Sequence, residues 1–218
     1  MSRDQRRRQL LDVAIRLFAQ QGFAGTTTRA IAQAAGVTEA VIFQHFATKD
    51  DLYRAVIAHK ASVWGNAAAM AQIRNIASAR DDEGFFRFLL TETLRVMRED
   101  RDFARLLLLS AIQGSETEFL RLFNDMLRGP KHTLIRAYIA QRQQEGAFRA
   151  CDIEAAILAL DGMVIHFGML RYLMGAEEIC GEIQDDEMIH RFVRIFLEGL
   201  RTGNSSARTR ARSQRKSQ

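Results

Sequence analysis

The stretch from Thr26 to Val56, TTTRAIAQAAGVTEAVIFQHFATKDDLYRAV, constrains the fold of this chain more than any other. Thr26-Thr27-Thr28 supplies an N-cap for a short helix, Arg29 to Ala35, and Gly36 stops it. Thr38 caps a second short helix, Glu39 to Phe46. Thr48 caps a third, whose first turn, Lys49-Asp50-Asp51, puts acid where the helix dipole favours it. The apolar candidates are Ala30, Ile31, Ala34 and Ala35 on the first, Val41, Ile42 and Phe46 on the second, and Leu52, Val56 and Ile57 on the third. Two short helices across a glycine turn form a helix-turn-helix, whose second helix enters the major groove of DNA while the first crosses the backbone. That job asks for small apolar inner faces, as Ala30, Ala34 and Ala35 provide, and a polar or small outer face, as Thr38, Glu39, Ala40, Gln44 and His45 provide.

Upstream, Leu10, Ala14, Leu17 and Phe18 share one face of a helix, with Gly22 as its C-cap and Phe23 turned under the head. Residues 1–50 therefore read as a three-helix head, and the helix beginning at Lys49 links it to the rest. A single proline, Pro130, and few alternating Val/Ile/Thr segments argue against sheet, so the chain reads as all-α. Helices are expected near 84–98, 102–112, 116–128, 131–145, 152–175 and 186–201, a body spanning 51–201, followed by a disordered Ser/Arg-rich tail at 202–218.

Charge is unevenly spread. Of the formal net +5, residues 1–50 hold +3, residues 51–200 hold −4 and residues 201–218 hold +6. A basic head before an acidic body suits a chain that approaches a polyanion with one end. Cys151 and Cys180 alone give neither a disulfide framework nor a zinc site, and no metal or cofactor is expected. Spacings such as HExxH, GxxxxGK, GxSxG and GxGxxG are absent and the five histidines are scattered, so no catalytic residue is assigned and an enzyme is not expected. No apolar run is read as long enough for a bilayer span, and the first residues lack an uninterrupted apolar signal region; a cytoplasmic protein without a membrane partner is expected.

Thr27, Ile31, Ala32, Ala35, Gly36, Val37, Ile42, Phe43, His45, Phe46, Lys49 and Leu52 stand at the spacing of the tetracycline-repressor (TetR) family head, which this segment resembles over about residues 8–57. The resemblance implies a sequence-specific transcriptional regulator, with Thr28, Thr38, Gln44, His45 and Lys49 near phosphates and Arg29, Glu39, Ala40 and Val41 near base edges. In those places Arg29 suits guanine, Glu39 suits the amino group of cytosine, and Ala40 or Val41 suits a thymine methyl. Phe43 stands where many members carry tyrosine, removing a hydroxyl from the phosphate side, and Ala40 where glycine is frequent. The Arg6-Arg7-Arg8 run adds phosphate attraction or follows the minor groove.

Residues 152–175 form a long apolar segment whose Ala155, Ala156, Ala159, Gly162 and Gly168 allow close approach of a partner. With residues 186–200 it resembles the family's last two helices, which implies a C2 homodimer on a near-palindromic operator in double-stranded DNA. Phe85, Phe88, Leu89, Met97, Phe103, Leu107, Phe119 and Met126 are large apolar candidates for a pocket taking a hydrophobic small molecule, and His166 is the candidate to orient it. The expected function is a repressor released by such a ligand. The alternative is a DNA-binding regulator whose body only oligomerises or meets a protein partner, or an activator.

Overall fold

The computed structural model describes residues 1–64, 67–113 and 128–202, and among these no β-strand occurs beyond one isolated bridge between Phe148 and Arg201. The helices are α1 (Arg3–Gly25), α2 (Thr28–Ala35), α3 (Glu39–His45), α4 (Lys49–Trp64), α5 (Ala67–Ser78), α6 (Asp82–Glu99), α7 (Arg101–Gln113), α8 (Pro130–Gln144), α9 (Ile153–Gly168), α10 (Glu177–Cys180) and α11 (Asp185–Leu200). A π-helical turn, Met169–Leu173, continues α9. The all-α class and the helix-turn-helix head expected from the sequence are both present.

The chain divides into two compact units, Met1–Ala67 with Val96–Arg128, and Ala68–Arg95 with Gly129–Gln218. In the first, α1 packs against α2, α4 and α7. One core holds Leu10, Ala14 and Phe18 of α1, Ile31 of α2, Ile42 of α3, Leu52, Val56 and Ile57 of α4, and Phe103 and Leu106 of α7. Burying side chains of this size is the main driving force for closing such a small bundle. This compact unit therefore takes in α4 and α7 as well as the fifty-residue head.

In the second unit Phe85, Phe86 and Leu89 of α6 meet Ile135, Tyr138 and Ile139 of α8, Leu160 and Val164 of α9, and Val193 and Phe196 of α11. The Phe85 ring stacks on Tyr138 with centroids 3.9 Å apart, and Phe86 meets Phe196 edge-on at 4.9 Å. Asp82, at the start of α6, accepts from the Tyr138 hydroxyl at 2.6 Å and from Nε of Arg142 at 2.8 Å. Arg142 also bonds Glu145, which pairs with Arg80 at 2.7 Å. Burial, then the Asp82 carboxylate, raises the Tyr138 pKa, and the hydrogen bonds from Arg80, Gln141 and Arg142 hold Glu145 down at about 2.

Several expectations need correction. Ala34 is exposed and Ala32 takes its place in the core, because α2 turns Ile31, Ala32 and Ala35 inward. Helix α5 had no counterpart in the reading of the sequence. Residues 153–173 are, by length and composition, apolar enough to cross a membrane, with mean hydropathy 1.7; a third of that stretch is buried, and Leu160, Val164 and Phe167 belong to the core of the second unit. The expected helix at 116–128 and the tail lie, but for Arg128 and Thr202, outside the described residues.

Candidate nucleic-acid interface

The head is held by caps that the sequence announces. The backbone breaks at Gly22, with φ of 71°, and the buried Thr26 hydroxyl shares its one hydrogen between the carbonyls of Gly22, at 2.8 Å, and Leu17, at 3.1 Å. Thr27 caps α2 by accepting from the Ala30 N–H at 3.1 Å. Gly36 then adopts the left-handed conformation that closes α2 and redirects the chain, with φ of 67°. Thr38 holds the N-cap position of α3 without a side-chain cap bond. Thr48 caps α4 by accepting from the Asp51 N–H at 3.0 Å.

These turns display α3. Arg29, Thr38, Ala40, Phe43 and Gln44 are exposed, while Thr28, Glu39, Val41 and His45 are half-buried. Phe43 is 49% exposed, an apolar ring on an otherwise polar surface. The Thr28 hydroxyl donates to Oε2 of Glu39 at 2.7 Å, tying the first turns of α2 and α3 together and fixing the Glu39 carboxylate at the leading end of α3. The sequence did not signal this bond across the turn.

Lys49 is tied into the head. Its ammonium donates to the carbonyls of Phe23 at 2.8 Å and Thr26 at 3.0 Å and lies over the Phe23 ring, 4.1 Å from its centroid. It thereby satisfies carbonyls left open where α1 breaks before α2. The Arg6–Arg8 run is helical, within an α1 that Ser2 and Gln5 cap reciprocally. Arg6 bonds Gln9 at 2.6 Å, Gln9 bonds the Ala35 carbonyl at 3.2 Å, and Arg7 lies over the Phe46 ring. These arginines are part of the head's frame.

The apolar candidates for a ligand fall into different places. Phe103 and Leu107 belong to the core of the first unit, and Met97 is buried in the same unit. Phe85 and Leu89 are buried in the second unit, and Phe88 borders an open groove of about 520 Å³ beside Ile76, Arg87 and His190. Phe119 and Met126 lie outside the described residues. His166 is exposed, since α9 turns Val164 and Phe167 inward and leaves Ile165 and His166 outward.

The buried histidine is His132, with Nε2 3.0 Å from Oδ2 of Asp161. Beside it, the Lys131 ammonium donates to Oγ1 of Thr93 at 2.9 Å. Burial pulls the Lys131 pKa below the usual lysine value, and the charges of Asp161 and Glu92 counter this only in part. No sequence signal singled out this cluster, because Lys131, His132 and Thr133 read as an ordinary polar first turn. Among the described residues no group of acid, histidine and cysteine side chains suits a metal ion.

An all-helical chain that displays a short helix after a glycine turn on a three-helix frame has the architecture of a helix-turn-helix head. The signature of the bacterial regulatory proteins, tetR family, matches residues 10–56. The match covers the head of the chain, which over those residues is similar to that family's. It is 37% identical over 106 residues to the HTH-type transcriptional repressor Rv1474c of Mycobacterium tuberculosis, a match that spans 46% of this chain and 55% of that protein. To the regulator RutR of Escherichia coli it is 26% identical over 204 residues, 90% of this chain and 91% of RutR. Its fold matches the Bacillus subtilis regulator FadR, solved with stearoyl-CoA, at a TM-score of 0.65 and 15% identity over 88% of this chain and 98% of that one.

Proposed function

We propose that the chain is a repressor that grips a near-palindromic operator as a C2 homodimer and releases it when a hydrophobic small molecule binds the body. The observation that carries the reading is the exposed face of α3, with Ala40, Phe43 and Gln44 outward and Glu39 held in place by Thr28. In this reading Arg29, Glu39, Ala40 and Val41 meet base edges, while Thr28, Thr38, Gln44 and His45 meet phosphates or sugars and Phe43 makes apolar contact. Lys49 acts from behind, by fixing the α1–α2 turn. A regulator of this kind works where its operator is, in the cytoplasm.

The dimer is supported by the outer face of α9, where Ala155, Leu158, Ala159, Gly162 and Ile165 are exposed, and by Ile195, 58% exposed on the neighbouring α11. Small and apolar residues of this kind let a second copy approach closely, and two heads then read two half-sites. Release by a hydrophobic ligand is supported by the aromatic content of the body and by a fold neighbour that holds an acyl-CoA. The ligand shifts the population between a DNA-competent and a DNA-incompetent arrangement.

The test is selection of DNA sequences by the full-length protein, followed by mobility shift with competitor at two salt concentrations. The expected product is a two-fold symmetric site, bound by a dimer and resistant to competitor, with Arg29→Ala weakening it. Recovery of no sequence preference, with binding lost at moderate salt, shows phosphate attraction alone and sinks the proposal.

A further inference from the structure

We propose that Lys131, Thr93 and the His132–Asp161 pair form a subsite in the second unit for the anionic head of a ligand, a carboxylate carried on an apolar body. The inference rests on the effector-binding reading above and names the chemistry it would take. The four side chains come from three helices, Thr93 from α6, Lys131 and His132 from α8 and Asp161 from α9. Thr93 gives its hydroxyl hydrogen to the Leu89 carbonyl at 2.9 Å, so its oxygen receives one N–H of Lys131 and holds the ammonium on a neutral group.

Among the described residues no carboxylate lies within ion-pair distance of Lys131. The nearest acids are committed elsewhere, Asp161 to His132 at 3.0 Å and Glu92 to Arg95 at 2.9 Å. Lys131 also sits in the first turn of α8, whose N-cap Gly129 makes no side-chain cap bond and whose first turn carries no acid. The dipole disfavours a cation at that end and favours an anion. A half-buried ammonium and the positive end of a fifteen-residue helix thus converge, and one carboxylate satisfies both. The lowered Lys131 pKa agrees with a charge held at a cost. Within a turn on these helices, Leu89, Ile135, Leu160 and Val164 belong to one apolar core, beside which an apolar body would lie.

The experiment is calorimetric titration of the full-length protein with hexanoate, decanoate and tetradecanoate, each against the primary alcohol of equal length. Operator affinity is measured separately by fluorescence anisotropy. At least one carboxylate should bind about ten-fold or more tightly than its alcohol. Lys131→Met should abolish that preference and Lys131→Arg should keep it. The inference is overturned if alcohols bind as well as carboxylates, if the preference survives in Lys131→Met, or if protein that still binds its operator takes up no carboxylate. Should Lys131→Met not fold, the wild-type comparison decides, since equal binding of acid and alcohol rejects a charged subsite. Acids and alcohols that both release the operator leave the repressor reading standing without the Lys131 subsite. Lys131-dependent binding with unchanged operator affinity does the reverse.

Discussion

Lys49→Met separates two roles for one lysine. In the structure its ammonium makes two charge-assisted bonds, to the Phe23 and Thr26 carbonyls, and stacks on the Phe23 ring. Bonds of this kind contribute about 1.5–3 kcal/mol each when buried, and a cation–π contact at an exposed site about 0.5–1 kcal/mol. Lys49 is half-buried, which discounts the sum to about 3 kcal/mol. In a chain of this length that lowers Tm by roughly 6–12 °C, at about 2–4 °C for each kcal/mol. Thermal unfolding followed by circular dichroism measures it. Binding of the selected operator at several salt concentrations measures the other role, because each phosphate contact contributes about one unit to the slope of log K against log salt. A large fall in Tm with an unchanged slope is expected. A variant that melts with the wild type and loses about one unit of slope refutes it and returns Lys49 to the phosphates.

Three further outcomes are expected. Gly36→Ala should cost about 1 kcal/mol, visible as a Tm lowered by roughly 2–4 °C, because the left-handed backbone is strained for alanine while the space for its Cβ is open. Asp82→Ala should shift the urea midpoint by the equivalent of about 3 kcal/mol, since it leaves Arg142 and the Tyr138 hydroxyl without their shared acceptor; an unchanged midpoint would show that this network adds nothing. Glu145 is held at about 2 rather than the ordinary 4.5, so its contribution is complete above the higher value and fades as pH falls toward the lower. Wild type should therefore exceed Glu145→Gln in stability near neutral pH, and the gap should close in acid titrations between those two values.

What the sequence makes legible is local. Thr27, Gly36 and Thr48 cap or stop helices within a few residues of themselves, so the head's turns follow from neighbours in the chain. The fate of Lys49 does not, because its acceptors lie 26 and 23 positions away. His132 escapes for the same reason, since its partner Asp161 is 29 positions on, whereas His166 attracts attention by its apolar neighbours and then faces outward. Helix α5, AAAMAQIRNIAS, is dominated by alanine and buries only Ile73, which leaves little apolar period to read. Ala32 and Ala34 trade places because two alanines in one short helix are told apart only by what packs on them.

The contact between α1 and α7 has a consequence for anyone grafting this head onto another body. Phe103 and Leu106, from beyond the hundredth residue, complete the apolar interior that Leu10, Phe18 and Ile57 begin. A transplant cut at the end of the helix-turn-helix would expose that interior to water and bring the motif without its footing. A chimera that is to keep the head folded must carry residues 101–113 as well, or supply a helix that presents the same two side chains.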